Sequence, residues 1–344
     1  MIKNIIYFVL INCVLISCVS GSSETKDSIN NRFVKGADIS WLPQMEASGF
    51  KFYNLSGKEE DCLTTLHSNG INTVRLRTWV GPSDDPVNGH CSSKELVFMA
   101  VRAKSKGFRV MVDFHYSDTW ADPGQQVKPA SWESLDFIQL TEQIHRYTKE
   151  VLIELKNADV YPEWVQVGNE INPGMLLPDG SSQNMSNLSQ LINSAYNGVK
   201  EVFPDSLVII HLASGTDNGL FRWFFDGLTR YSTKYDVIGF SYYPYWDKKK
   251  YTETINRLKN NMYDMISRYD KKVVIVETGG LDSEPDETYA MVSDLITLVR
   301  NIPDEKGLGV LYWEPQGAAI WSKYRLSCWG NDGVPEKPIE AFKK

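Results

Sequence analysis

The chain has 344 residues and a formal net charge of −7 at pH 7, with its charges interspersed and no long like-charge block. That length suits one large domain, an α/β barrel included, and the acidic balance excludes a nucleic-acid footprint or a polybasic membrane patch. Ten Trp and seventeen Tyr stand out, a composition that serves sugar-stacking surfaces and an aromatic core equally well.

The N-terminus reads Met1-Ile2-Lys3, then an apolar stretch from Ile5 to Ile16 broken only by Asn12, then Ser17-Cys18. A basic start and a short apolar run describe an export signal, since a membrane span needs about 20 apolar residues. Leu15-Ile16-Ser17-Cys18 resembles the lipobox of bacterial lipoproteins, in which the cysteine is acylated and becomes the mature N-terminus. Residues 1–17 are therefore expected to be a lipoprotein signal peptide, residues 18–32 a lipidated Cys18 and a Ser-, Asn- and charge-rich tether, and residues 33–344 one catalytic domain. An ordinary signal peptide cleaved nearby would export the chain as well. The expected location is outside the cytoplasm, anchored to a bacterial membrane at the outer membrane or cell surface, with the protein acting as a monomer. Export permits disulfides among Cys62, Cys91 and Cys328, whose pairing stays open, and no Cys/His spacing suggests a zinc site.

Past the tether, short runs rich in Val, Ile and aromatics recur over residues 33–40, 72–79, 108–115, 164–170, 207–213, 237–243, 272–278 and 309–314. Eight such runs close a (β/α)8 TIM barrel. Helical spacing predicts intervening helices over 58–68, 93–106, 135–156, 185–202, 252–268 and 287–300, as in Leu188, Leu191, Ile192 and Ala195. Gly70, Gly107 and Gly307 stand where helix C-cap glycines would. An open doubly wound sheet is the alternative, but the first strand lacks the Gly-rich loop that such a sheet usually carries.

Each run begins apolar and ends in chemistry: Asp38 and Trp41; Arg75, Arg77 and Trp79; Asp113 and His115; Asn169 and Glu170; His211; Tyr242 and Tyr243; Glu277; Trp313 and Glu314. In a barrel these ends share one rim, where active sites are built. Glycoside hydrolysis needs a protonated carboxyl beside the leaving oxygen and an ionised carboxylate across the anomeric carbon. Glu170 and Glu277, ending the fourth and seventh runs, are the candidates, although strand-end glutamates also serve as salt-bridge groups. Asn169 beside Glu170 would hold a sugar hydroxyl. Arg75 would keep Glu277 ionised, Tyr243 would hydrogen-bond it, and Glu170 needs a raised pKa to act as acid and base.

The stretches Gly36-Ala37-Asp38-Ile39-Ser40, Val74-Arg75-Leu76-Arg77-Thr78-Trp79-Val80, Asp113-Phe114-His115-Tyr116-Ser117-Asp118-Thr119-Trp120-Ala121-Asp122-Pro123, Gln166-Val167-Gly168-Asn169-Glu170-Ile171, Asp236-Val237-Ile238-Gly239-Phe240-Ser241-Tyr242-Tyr243-Pro244 and Val276-Glu277-Thr278 stand in order along the mature domain. In these the chain resembles glycoside hydrolase family 53, the endo-β-1,4-galactanases. The resemblance implies retaining cleavage, from within the chain, of β-1,4-linked galactose in galactan or type I arabinogalactan. It implies Glu170 as acid/base, Glu277 as nucleophile, and substrate binding by Asp38, Arg75, Trp79, His115, Asn169, His211, Tyr243 and Trp313. Asp118 and Asp122 serve equally as turn caps, and Trp120 and Trp132 equally as rim platforms or loop packing.

Bacterial members of the family are associated with a calcium ion that ties the loops after strands seven and eight. Here Asp282, Glu284, Asp286 and Glu287 could supply oxygens, but they lack a cage pattern, and no cofactor or metal is expected to be required. Three rivals remain: a relative in the same clan acting on β-mannan, β-glucan or xylan, a surface lipoprotein that binds glycans without cutting them, and a metal hydrolase built on Asp113 and His115.

Overall fold

The computed structural model of the chain describes residues 33–344. The segments read from the sequence as a signal peptide, a lipidated Cys18 and a tether lie outside the described residues. Eight strands form a closed parallel barrel in the order β1-β8-β7-β6-β5-β4-β3-β2. They are β1 Val34–Asp38, β2 Thr73–Thr78, β3 Arg109–Phe114, β4 Trp164–Val167, β5 Leu207–Leu212, β6 Val237–Tyr242, β7 Lys272–Thr278 and β8 Gly307–Tyr312. Around them run α1 Cys62–Ser68, α2 Ser93–Ser105, α3 Phe137–Asn157, α4 Met185–Val202, α5 Asn218–Arg230, α6 Tyr251–Tyr269 and α7 Pro285–Arg300. The barrel and all six predicted helices match the sequence reading. Helix α5, where Phe221, Phe224, Phe225 and Leu228 make the buried stripe, is an addition to it. A 3-10 turn at Lys337–Lys343 packs on α7 and buries Ile339, Ala341 and Phe342 where an eighth helix would lie.

Local chemistry sets the helix boundaries. Ser92 with Glu95, and Asp136 with Gln139, form reciprocal capping boxes that start α2 and α3, each cap contributing about 1 kcal/mol. Gly70 and Gly107 follow α1 and α2 with φ of 91° and 86°, a left-handed conformation that costs glycine little. Gly307 is different: it is the first residue of β8, and the turn before it is made by Asp304 and Glu305 at φ 58° and 52°. A Cβ on Gly307 would sit 2.1 Å from the Val299 carbonyl oxygen, so close approach is what requires glycine there.

Alternation along the strands divides the barrel into two faces. Val74 and Leu76, Val110 and Val112, Val165 and Val167, Ile210 and Leu212, and Ile238 and Phe240 pack outward in the large cluster shared with the helices. Val34, Met111, Trp164, Ile209, Val237, Val274, Val276 and Leu311 form a second cluster inside. Asp38, Arg75, Arg77, Asp113, Gln166, His211 and Ser241 share the parity of that inner set and stand nearer the C-terminal ends of their strands. Apolar filling thus gives way to polar chemistry along the barrel axis. Cys62, Cys91 and Cys328 are buried free thiols, so no pair among them is bridged.

Candidate active site

Arg75, with its side chain fully buried, is the hub of the barrel mouth. Its Nη1 lies 2.9 Å from Asp38 Oδ2 and 2.9 Å from Glu277 Oε1; its Nη2 lies 2.8 Å from Asp113 Oδ2 and donates to Asn169 Oδ1 at 2.8 Å. Gln166 Oε1 accepts from both Nε and Nη2. One guanidinium therefore touches groups on β1, β3 and β7 and on the β4 segment, which is possible only on the barrel axis. Burial works to lower its pKa, but Asp113, Glu277 and Asp38 hold it above the ordinary arginine value.

The neighbouring groups are fixed just as closely. His115 Nδ1 accepts from the Ala121 backbone N–H at 3.2 Å, so its Nε2 carries the hydrogen and donates to Asp113 Oδ2 at 3.0 Å. Burial opposes ionisation of Asp113, yet Arg75 and His115 keep its carboxyl below the usual range. Asn169 Nδ2 donates to the Ala121 carbonyl at 2.8 Å, which turns Oδ1 toward Arg75.

Glu277 reaches the interior through a bulge. Phe240 pairs with Ile275, but the next residue, Ser241, pairs with Glu277 and skips Val276. Strict alternation would put Glu277 on the outward face of Val273 and Ile275; the extra residue returns it to the mouth. Tyr243 Oη donates to its Oε2 at 3.3 Å. Glu170 follows Gly168 and Asn169 in a sharp turn with φ of 86° at Gly168 and 46° at Glu170. The Ser241 hydroxyl lies 2.5 Å from Glu170 Oε1. Burial pushes the Glu170 carboxyl up to about 7 against the lowering effect of Ser241, and Asp122 raises it further. Burial also raises Glu277; Arg75 opposes that rise, and the like charge of Glu170 adds to it. Two carboxyls that share a site this way avoid both being ionised.

Both open into a cavity of about 450 Å³ lined also by His115, Trp120, Asp122, Asn169, Tyr243, Trp246, Asp247, Trp313 and Tyr324. Beneath Trp120 and Trp313 the Arg77 guanidinium sits among four indoles, 4.6 Å from the Trp120 ring, 5.5 Å from Trp41 and Trp79, and 5.9 Å from Trp313. Arg77 also pairs with Glu314, which accepts from the Trp41 backbone N–H at 3.1 Å. Two of the aromatic walls of the cavity are therefore held from below by a buried cation.

A family model described as glycosyl hydrolase family 53 matches residues 34–334. The chain belongs to this family. It is 34% identical to the arabinogalactan endo-β-1,4-galactanase of Thermothelomyces thermophilus over 82% of this chain and 89% of that protein. A solved fungal β-1,4-galactanase superposes with a TM-score of 0.82 at 30% identity, covering 90% of this chain and 98% of that one. The family 53 catalytic domain of Ignisphaera aggregans gives 0.82 and 30%, covering 91% and 96%. The protein is thus a glycoside hydrolase with a (β/α)8 barrel.

Within this family 53 site the sequence-predicted residues fall into two layers. Glu170, Glu277, His115, Asn169, Tyr243 and Trp313 line the cavity. Asp38, Arg75, Trp79 and His211 have no exposed surface. These four stand behind the cavity wall, where they support its lining: Asp38 is held by Arg75 and Arg77, Trp79 packs against Arg77 and Trp120, and His211 bonds Asn169 and Ser241. Asp118 caps turns through the Gly81 and Ala130 N–H groups, and Trp132 is buried against Tyr147. Ser241, Tyr324 and Trp246 were not anticipated. Ser241 carried a signal, since it shares parity with Tyr243, whereas the other two sit in loops with no period to read.

Among the described residues no three His, Cys, Asp or Glu side chains gather as metal ligands. Asp282 is instead paired with Arg325 and Asp286 with Lys337. The acidic segment after β7 therefore does not fit a calcium cage. The Asp113 and His115 pair faces Arg75, not further ligands.

Proposed function

We propose that the protein is a retaining endo-β-1,4-galactanase acting on galactan or type I arabinogalactan, with Glu170 as acid/base and Glu277 as nucleophile. The observation that carries the roles is the unequal surroundings of two carboxyls in one cavity. Glu277 touches the buried Arg75 guanidinium, which favours its charge, whereas Glu170 has no cation in contact among the described residues, and burial and the like charge of Asp122 favour its proton. The substrate reading is supported by the galactanases to which the chain is similar.

In the first step the Glu277 carboxylate attacks the anomeric carbon while the Glu170 proton passes to the departing glycosidic oxygen. In the second, Glu170 takes a proton from water, the water oxygen bonds to the anomeric carbon, and Glu277 is released. Asn169, anchored by Arg75 and Ala121, presents an amide beside the sugar ring. Trp313 and Trp120 offer held aromatic faces for stacking.

Proton NMR of a galactan digest, with products sized in parallel, tests this. Galactan should shorten to small oligosaccharides whose new reducing ends first appear in the β configuration; first appearance as α, or faster turnover of mannan, glucan or xylan, would overturn it. We also propose export as a lipoprotein through Cys18. Cys18→Ala should leave the protein out of the membrane fraction and without incorporated fatty acid, and unchanged membrane association would sink that reading.

A further inference from the structure

The mechanism leaves unexplained why a buried serine and a buried histidine stand behind Glu170. Ser241 Oγ lies 2.5 Å from Glu170 Oε1 and 2.8 Å from His211 Nε2, and His211 Nδ1 lies 2.9 Å from Asn169 Oδ1. Asn169 Oδ1 accepts from Arg75, and its amide nitrogen is committed to Ala121, so this oxygen has no hydrogen to give. His211 Nδ1 must therefore carry the ring hydrogen. Burial and Arg75 keep the imidazole neutral, holding its pKa well below the usual value. Gln166 Nε2, 3.2 Å from the same nitrogen, has closer acceptors in Asp113 Oδ1 at 2.7 Å and Asn169 Oδ1 at 3.0 Å. His211 Nε2 is left as a bare acceptor aimed at Ser241.

Ser241 has one hydrogen and two claimants. When Glu170 is protonated, its O–H donates to Ser241 Oγ, Ser241 donates to His211 Nε2, and every donor in the chain finds an acceptor. When Glu170 is ionised, the carboxylate needs a donor, and the hydroxyl can serve it only by turning away from His211. We infer that Ser241 is a positioning residue for Glu170, a hydroxyl rotor that points to His211 while Glu170 holds its proton and swings to the carboxylate once that proton has passed to the leaving oxygen. No proton moves except the one exchanged between Glu170 and substrate or water. His211 thereby favours the acid form at rest, and Ser241 stabilises the base form when it arises. The inference rests on Glu170 being the acid/base.

The groups facing this assembly are known from every side: Arg75 on β2, Asp113 and His115 at β3, Asp122 in the loop after it, Tyr243 after β6, Glu277 on β7 and Tyr324 after β8. None of them contacts the Ser241 hydroxyl through a hydrogen bond among the described residues, so the rotor has two positions.

The test is a cycle of variants read by kcat/KM against pH. His211→Leu removes the resting acceptor and should move the high-pH limb to lower pH. In a Ser241→Ala background the same substitution should leave the limb where Ser241→Ala alone puts it. An equal displacement in both backgrounds would overturn the rotor. If the His211 variant does not fold, Ser241→Ala alone remains decisive. It should lower kcat/KM about tenfold on galactan, whose leaving group needs a proton, and less than about twofold on a dinitrophenyl β-galactobioside, whose leaving group does not. Equal losses on the two substrates would mark Ser241 as merely structural. Glu170→Gln separates the underlying reading, because persistence of the high-pH limb in that variant would refute Glu170 as the acid and leave Ser241 no proton to follow.

Discussion

Glu277 stands opposite Ser241 across the β6–β7 pair because β7 carries one residue, Val276, that has no partner on β6. The bulge gives the two carboxyl sites a common neighbour: Ser241 is the Cα partner of Glu277 and lies 2.5 Å from Glu170 Oε1. Glu277→Gln keeps this geometry and removes only the negative charge. Turnover of galactan should fall by at least about 10³-fold, with melting and polysaccharide affinity close to the parent. Calorimetric titration of galactan into the variant checks the second half, and residual activity within tenfold of the parent would remove Glu277 from the nucleophile's place.

The alternation that builds the site was legible in the sequence; the bulge was not. Residues 273–276 are all Val or Ile, so no polar residue marks which side of β7 faces inward, and Glu277 stands out only by its place at the end of the seventh run. Depth was hidden for a related reason. Asp38, Trp79 and His211 end strands just as His115 and Asn169 do, yet only a closed barrel shows that the first three sit behind the cavity wall. A strand-end polar residue reads the same whether it touches substrate or a residue that does.

The pH dependence follows from Glu170. Burial raises its carboxyl to about 7, and in the proposed role of acid it must be protonated to assist departure of the leaving group. Activity measured as kcat/KM should therefore hold up to near pH 7 and fall about tenfold per pH unit above it. Stability carries the same sign. The folded-state value lies above the unfolded one of about 4.3, so the contribution is fully present below about pH 4.3 and is lost as pH rises to about 7. Glu170→Gln should flatten the decline of the melting midpoint between pH 5 and 7, and an unaltered slope would place the titration elsewhere.

Arg75, its side chain fully buried, balances three carboxylates. Removing it as Arg75→Met leaves Asp38, Asp113 and Glu277 facing one another, a change expected to cost about 3–5 kcal/mol in urea unfolding. Arg75→Lys keeps one charge but cannot span the contacts of the planar fork, and should recover only part of that loss. Full recovery by lysine would mean that charge, not shape, is what the site requires.

The three thiols should behave as core groups. Burial pushes Cys91 up to about 12 and raises Cys62 and Cys328 well above the ordinary thiol value, so none presents a thiolate. A thiol reagent should be inert toward the folded barrel domain, modify Cys62, Cys91 and Cys328 after denaturation, and find the melting midpoint indifferent to reductant. A midpoint lowered by reductant would reveal a bridge.

The aromatic walls of the cavity divide by how they are held, and this predicts a division in kinetics. Trp313 lies 5.0 Å from Trp41 and 4.7 Å from Tyr324 by ring centroids, above the Arg77 guanidinium; it is placed before substrate arrives. Trp246 is 64% exposed and rests edge-on against Tyr245 at the outer end of the cavity. A held ring near the carboxyls orients the sugar being cut, so Trp313→Ala should lower kcat as well as affinity. An exposed ring at the margin binds sugar equally before and during the reaction. Trp246→Ala should therefore raise KM for long galactan about tenfold, the equivalent of about 1.4 kcal/mol, with kcat kept. The penalty should vanish for oligosaccharides too short to reach it. A loss of kcat in Trp246→Ala, or an equal KM penalty on short and long substrates, would show that this rim is part of the reaction centre and not an extension of it.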